Sequence, residues 1–302
     1  MVSIPQTMKA VRLHGPGVEG LRPETIDTPS LKPGEALVEV HAAAITRDEL
    51  EWPVDRLPAV PSYELSGVVA AVAAGVDGVS VGDEVYALTP FDRDGVAAEY
   101  AAVPAVTLAP KPSSIGHVES AAIPLPALSA WQGVFTHGRL ETGERVLIHG
   151  AVGGVGQFAT QLARWRGARV VATASRSSFD EARALGADEV IDGRGSLDHA
   201  ISSVDLVFDT VGGDLLKAAP ALLTGRGARL VTVAEEPPGE GTFFIVEPSR
   251  DQLVELARLV DAGDVRVAID STFGLSEAPA AFERSLASGK RGKVVIRVAD
   301  GG

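Results

Sequence analysis

Arg145-Val-Leu-Ile-His-Gly-Ala-Val-Gly-Gly-Val-Gly156 is the stretch on which the fold turns. The apolar run 146–148 reads as a strand, and it feeds a glycine-rich turn followed at once by a helical pattern. Phe158, Leu162 and Trp165 recur at helical spacing across 157–166. Gly153, Gly154 and Gly156 remove side chains that would keep a backbone away from a pyrophosphate, with Val155 between them. A helix opening near Gln157 offers unpaired N–H groups and a positive dipole end to such an anion. Strand, glycine turn and helix in that order are what a dinucleotide-binding βαβ unit requires, although the spacing is not the usual G-x-G-x-x-G.

Outward from this stretch the chain divides. Segments 8–13, 35–42, 64–74, 83–88 and 97–103 are rich in Val and small apolar residues, with Pro, Gly and Asp turn signals between them. Short strands at that spacing predict a barrel or sandwich. After about residue 119 the pattern alternates instead. Strands are expected at 169–173, 189–191, 205–209, 229–233 and 242–246, with helices at 157–166, 215–223 and 252–260. Ser178-Phe-Asp-Glu181 has the form of a capping box, and Gly186 stands where that helix should stop. Such alternation predicts a doubly wound parallel sheet covered on both faces. The tail 265–298 ends in Lys293-Val-Val-Ile-Arg-Val298, a strand expected to return to the first domain.

Composition narrows the function. The chain has 302 residues, 45% hydrophobic and 22% charged, enough for two domains and a sizeable core. Its net charge of −13 argues against nucleic acid and anionic membranes as partners. The run 67–76 is too short to cross a bilayer, and the first residues lack a signal-peptide pattern, so a cytoplasmic setting is expected. No cysteine is present, which excludes disulfides, thiol catalysis and thiolate-bound zinc. The six histidines form no H-x-x-x-H or H-E pair, and no metal site is expected.

An ordered series of short motifs runs through nearly the whole chain: Met8-Lys-Ala-Val11, Val81-Gly-Asp-Glu-Val85, Ala98-Glu-Tyr-Ala101, Ala121-Ala-Ile-Pro124 and Ser129-Ala-Trp131 in its first part. His149 to Gly156, Leu185-Gly-Ala-Asp188, Phe208-Asp-Thr-Val-Gly212 and Gly292-Lys-Val-Val295 complete it. Together they resemble the medium-chain dehydrogenase/reductase superfamily, in its zinc-free quinone oxidoreductase (zeta-crystallin-like) branch. The resemblance implies a β-rich GroES-like substrate domain from 1–122 and 263–302 and a Rossmann dinucleotide-binding domain from 123–262. Thr46 stands where zinc-dependent relatives have a cysteine ligand, and Tyr63-Glu64 where they have His-Glu. Their structural-zinc loop shrinks to a few residues around 91–95. A metal-free reaction disfavours alcohol oxidation and favours reduction of a conjugated acceptor. Two departures from the quinone reductase pattern, Thr46 in place of an asparagine and a shortened 193–205, point to an acceptor of its own.

By the same resemblance Tyr63, Asp48, Thr46 and Trp52 face the reacting groups. Tyr63 is the expected proton or hydrogen-bond donor, and packing at a strand start is its rival reading. Asp48 reads equally as a helix cap, and Trp52 as pocket wall or core. On the cofactor side stand Ser129, for which an N-terminal helix cap is the alternative, with Asp209, Val211, Val233, Phe244 and Val246. Lys293, in a basic run 290–293, either reaches cofactor phosphates or lies in an exposed turn. The second strand of the nucleotide fold ends at Ser175, 19 positions beyond Gly156, where an NAD site usually carries an acid. Here Ser175 and Arg176 leave room for a 2′-phosphate and offer it a guanidinium, which predicts NADPH. The alternative is that Ser175 caps the next helix and Arg176 is solvated.

These readings converge on an NADPH-dependent reductase of a small apolar quinone or α,β-unsaturated carbonyl. An enoyl-thioester or natural-product tailoring reductase is the first alternative, and a non-catalytic NADPH-binding sensor or structural protein the second. The apolar run 242–246 at a sheet edge predicts a two-fold homodimer.

Overall fold

The computed structural model describes residues 4–52, 55–194, 203–223 and 227–299. The chain divides into two compact units, one within Met1–Leu125, Glu247–Gly263 and Val267–Gly302, the other within Pro126–Val246 and Asp264–Arg266.

In the first unit the path of a seven-stranded sheet runs Ile269–Gly274, Lys293–Arg297, Glu35–Ile45, Glu64–Val72, Glu84–Leu88 and Ala109–Pro110, with Tyr100–Pro104 also paired to Glu35–Ile45. Glu35–Ile45 alternates inward Val and Ala closely enough to be buried along most of its length. Its neighbours Leu65, Val69, Val85 and Val103 complete one apolar cluster. The tail strand pairs antiparallel with Glu35–Ile45, Val294 opposite Ile45, so the expected return to this unit is what the chain does. Ile269–Gly274 pairs parallel with it, and the intervening helix Ala278–Leu286 makes the connection parallel strands need. Sequence patterning missed that strand because it is only half-buried. It also missed Leu21–Asp27, which pairs with Thr7–Leu13 and whose Pro23 and charged residues mask the alternation.

The second unit is a six-stranded, wholly parallel sheet. Its spatial order is Glu189–Asp192, Arg169–Ala174, Arg145–Ile148, Leu206–Asp209, Arg229–Thr232, Thr242–Phe243. Numbered along the chain this is 3-2-1-4-5-6, the doubly wound order, and it reverses between Arg145–Ile148 and Leu206–Asp209. Ligands of such sheets sit at the carboxyl ends of the strands beside that reversal.

Several expectations shift in detail. The segment 242–246 is strand only at Thr242–Phe243. The helix expected at 215–223 is α-helical over Gly213–Ala218 and tightens to 3₁₀ over Ala219–Leu222. A 3₁₀ turn, Arg176–Ser178, precedes the helix Phe179–Ala184, and Ser178 makes no side-chain cap bond. Ser249 does cap, accepting from Gln252 N at 3.4 Å at the head of Arg250–Asp261. That helix was expected in the nucleotide domain but groups with the first unit. Tyr86 Oη donates to Leu253 O at 2.5 Å, and Asp261 accepts from the Ser113 and Ser114 amides. Among the described residues no helix is long and apolar enough to cross a membrane.

Candidate active site and coenzyme cradle

The glycine turn leaves the first strand of the parallel sheet at His149. Gly150 has φ +72°, a left-handed conformation that disfavours a side chain, and a Cβ on Gly156 would lie 2.0 Å from Gly150 O. The turn is therefore as tight as its glycines allow. Gly153 N donates back to Gly150 O, but among the described residues the Gly154 and Val155 amides donate to no carbonyl. They stand at the head of the ten-residue helix Gly156–Trp165, where free N–H groups and the dipole favour an anion. A dinucleotide pyrophosphate fits this donor set.

Across the reversal, Asp209 is 0% exposed and wholly engaged by its own unit. Its Oδ1 lies 2.9 Å from His149 Nδ1, and its Oδ2 accepts from Gly212 N at 2.9 Å and Thr232 Oγ1 at 3.0 Å. Asp209 thus ties three strand ends together, with two donors on Oδ2 and His149 on Oδ1, so its carboxylate serves first to hold those ends. His149 Nε2 is buried with no partner among the described residues. Val211, at the same end, is 52% exposed, Val233 is half-buried, and Phe244 and Val246 are buried, Phe244 stacked on His137 at 4.4 Å. Ser129 is buried within the helix Pro124–Trp131 rather than at its start, so it is no N-terminal cap.

Ser175 begins the Arg176–Ser178 turn, its hydroxyl bonded to those of Ser177 and Ser178. The Arg176 side chain is 85% exposed but not simply solvated: Nε lies 2.9 Å from Asp192 Oδ2. Asp192 ends the neighbouring strand, in register with Ala174, and Arg176 holds its carboxyl below the usual range.

In the first unit, register brings Thr46, Glu64 and Lys293 to one end of three adjacent strands. Lys293 Nζ donates to Glu64 Oε1 at 2.5 Å and to Thr46 Oγ1 at 3.2 Å, and Thr46 Oγ1 in turn donates to Glu64 Oε1 at 3.2 Å. Glu64 Oε2 accepts from Leu125 N at 3.0 Å. Lys293 is therefore neither in an exposed turn nor free for a phosphate; a coenzyme would have to take it from Glu64. Glu49 completes the cluster, accepting from Thr46 N at 3.1 Å and Ser62 Oγ at 3.3 Å. Burial pushes its carboxyl up to about 8, against the pull of the Thr46 amide and Lys293. Ser62 holds φ +65°, a strained conformation of the kind that collects at functional sites.

Tyr63 is 0% exposed. Its ring packs with Trp52 and Phe91 at 5.6 and 5.3 Å, and its hydroxyl accepts from Arg56 Nη2 at 3.1 Å. Arg56 also donates to Phe91 O and Arg93 O, closing the residue over. This is the packing reading, not that of an accessible donor. Trp52 and Phe91 are half-buried, while Thr46 keeps part of its surface. Asp48 is exposed and makes no side-chain cap bond, so the helix-cap reading does not hold for it, and among the described residues its side chain has no hydrogen-bond partner. Sequence reading did not single out Glu49, Arg56, His149 or Asp192. Only His149, immediately before the glycine turn, carried a signal in its position.

Residues 32–113 match the family model described as an alcohol dehydrogenase GroES-like domain, and 185–296 that of a zinc-binding dehydrogenase. The chain is 32% identical to the human mitochondrial NAD(P)H oxidoreductase RTN4IP1, over 88% of this chain and 82% of the relative. It is 33% identical to the chloroplastic NADPH-dependent alkenal/one oxidoreductase of Arabidopsis thaliana, over 97% and 80%. A solved quinone oxidoreductase from Coxiella burnetii superposes with a TM-score of 0.91 at 28% identity, covering 97% of this chain and all of that one. The zinc that one model's description implies does not fit the residues present. A hydroxyl, a buried phenol and a carboxylate already bound to an ammonium are a poor donor set. Among the described residues no three His, Asp or Glu side chains gather as a metal site.

Proposed function

The chain belongs to the medium-chain dehydrogenase/reductase superfamily, in its quinone oxidoreductase branch, and from that premise we propose an NADPH-dependent reductase of quinones or α,β-unsaturated carbonyls that works without zinc. The observation that carries the reading is the pair of amides, Gly154 and Val155, without a carbonyl partner among the described residues, at a helix head beside the sheet's reversal. When bound, the dihydronicotinamide supplies hydride to an electrophilic carbon of the acceptor, and a proton completes the product.

The protein's part is to bind, orient and polarise. Gly153 to Gly156 take the pyrophosphate, and Ser175 with Arg176 takes the 2′-phosphate. Ser129, Val211, Val233, Phe244 and Val246 form the nicotinamide side. Thr46 is the residue we assign to the acceptor carbonyl. Its single proton rests on Glu64 Oε1 and must turn from that carboxylate to the carbonyl when an acceptor binds, while the ammonium bonded to its oxygen draws electron density from the hydroxyl and strengthens it as a donor. Trp52 and Phe91 are the apolar wall for a flat conjugated acceptor, Tyr63 supports them from beneath, and Asp48 stays at the rim.

The test is NADPH consumption with a panel of quinones, enones and enoyl-thioesters. Turnover of the first two supports the proposal. A clear preference for enoyl-thioesters moves the reading to a tailoring reductase, and tight NADPH binding without turnover moves it to a sensor. Failure to bind NADPH at all overturns it. A two-fold homodimer through the Thr242–Phe243 edge, beside which Ile245 is 68% exposed, belongs to the same proposal and is read by light scattering. So does a cytoplasmic setting, which differs from the organelles named for the relatives and is read by fractionation.

A further inference from the structure

We propose that Asp192 sets how strongly this protein discriminates NADPH from NADH, tethering Arg176 while opposing the charge of an incoming 2′-phosphate. The inference rests on the reading of Arg176 as the phosphate's partner. Asp192 ends the third strand of the parallel sheet, directly opposite Ala174, the last residue of the second. Its carboxylate is held on both oxygens: Oδ2 lies 2.9 Å from Arg176 Nε, and Oδ1 accepts from Arg194 N at 3.1 Å.

Two consequences follow from that clamp. The guanidinium is fixed through Nε, and its two Nη groups have no partner among the described residues. That edge is the one that meets a phosphate with two parallel bonds. At the same time a full negative charge stands one guanidinium's width from where a phosphate would bind. Like charges at that separation repel even in water, and more strongly near a protein surface. A ribose carrying only a 2′-hydroxyl suffers no such penalty and finds an acceptor in Asp192, each of whose oxygens holds a single donor and keeps a lone pair. An acid of this kind usually stands at the end of the second strand. Here it stands one strand further out. Both effects lower the preference for the phosphorylated coenzyme below what Arg176 alone would produce.

The experiment is calorimetric titration of the intact protein with adenosine 2′,5′-bisphosphate and with 5′-AMP, for wild type, Asp192→Asn and Arg176→Ala. Asp192→Asn should bind the bisphosphate about three- to tenfold more tightly, with 5′-AMP unchanged or slightly weaker. The gain should shrink at high salt, because an exposed charge is screened. The coenzyme ratio of kcat/KM should move the same way. Unchanged or weaker bisphosphate binding by Asp192→Asn overturns the inference, weaker binding marking a residue that only positions Arg176. Arg176→Ala separates the two readings. If it leaves the discrimination between the two nucleotides intact, the reading of Arg176 has failed. If it erases the discrimination while Asp192→Asn changes nothing, only the role given to Asp192 has failed. Melting temperatures close to wild type show that neither substitution acts through folding.

Discussion

Lys293 and Glu64 form a buried ion pair across 229 positions of sequence, Nζ to Oε1 at 2.5 Å, with side chains 7% and 0% exposed. A charge taken out of water needs its partner. Lys293→Met should therefore cost about 3–5 kcal/mol in urea unfolding, because it strands the Glu64 carboxylate. Adding Glu64→Gln should recover most of that loss. A single-variant cost under about 1 kcal/mol, the range of surface pairs, would show that the pair is solvated in solution.

The Glu49 carboxyl gives a pH signature of definite sign. Unfolded, it releases its proton near 4.5; folded, burial holds the proton to about 8. Between those values the native state carries the extra proton, so stability is full at the acid end and is lost as pH rises toward 8. The slope from this group cannot exceed about 1.4 kcal/mol per pH unit. Glu49→Gln should flatten the profile between pH 5 and 8 and be relatively more stable at the alkaline end. Parallel profiles for the two proteins would remove Glu49 as the cause. Lys293, Glu64, Thr46 and Ser62 face the group and stay constant in the comparison.

The nucleotide fold was legible because its signals are local. A glycine turn between one strand and one helix identifies the βαβ unit, and the alternation around it fixes a parallel sheet. The first unit's site was not legible in the same way. Thr46 and Lys293 are 247 positions apart and meet only because the tail strand pairs antiparallel with Glu35–Ile45. In the sequence, Lys293 looks like part of a basic surface run; register turns it inward. Tyr63 misled for the opposite reason. Its position matched a catalytic slot, but Arg56, seven residues earlier, covers its hydroxyl. Side-chain pairs such as Arg176 and Asp192 depend on which strands become neighbours, which composition and spacing do not specify.

The proposed division of labour between Thr46 and Tyr63 is open to a direct comparison. Thr46→Val keeps the shape and deletes the hydroxyl, so kcat should fall on the order of 10²-fold with little change in coenzyme binding. Tyr63→Phe should leave kcat within a few-fold and lower stability by only about 1 kcal/mol, since Arg56 Nη2 loses the phenol but keeps the Phe91 and Arg93 carbonyls for its two protons. Steady-state kinetics and thermal melts read both. The reverse pattern would return the donor's role to Tyr63, whose phenol burial pushes up to about 12 and so keeps protonated.

Metal analysis of the purified protein should find no stoichiometric zinc, and chelators should leave quinone or enone reduction unchanged. The expectation rests on donor chemistry: no cysteine in the sequence, and an ammonium on the carboxylate and hydroxyl that a metal would need. One zinc per chain, lost together with activity on chelation, would falsify the zinc-free assignment.

Coenzyme choice turns on Arg176. Its guanidinium is exposed, tethered at Nε and, among the described residues, without a partner at either Nη group. No acid occupies the end of its own strand, where the sequence reads Ser175-Arg176-Ser177. One or two charge-assisted bonds to a 2′-phosphate, at about 1.5–3 kcal/mol each, correspond to roughly ten- to several-hundred-fold in kcat/KM for NADPH over NADH. The carboxylate of Asp192 beside the guanidinium puts the expected value toward the lower end of that range. Arg176→Ala should erase most of the preference by weakening NADPH alone, because NADH carries nothing for the guanidinium to hold. Serine hydroxyls at 175 and 177 would remain to bond the bare ribose, so NADH turnover should survive nearly intact. Initial rates with each coenzyme at a fixed saturating acceptor decide the matter. Equal use of both coenzymes by the wild type, or parallel losses in the variant, would mean that this turn does not read the phosphate.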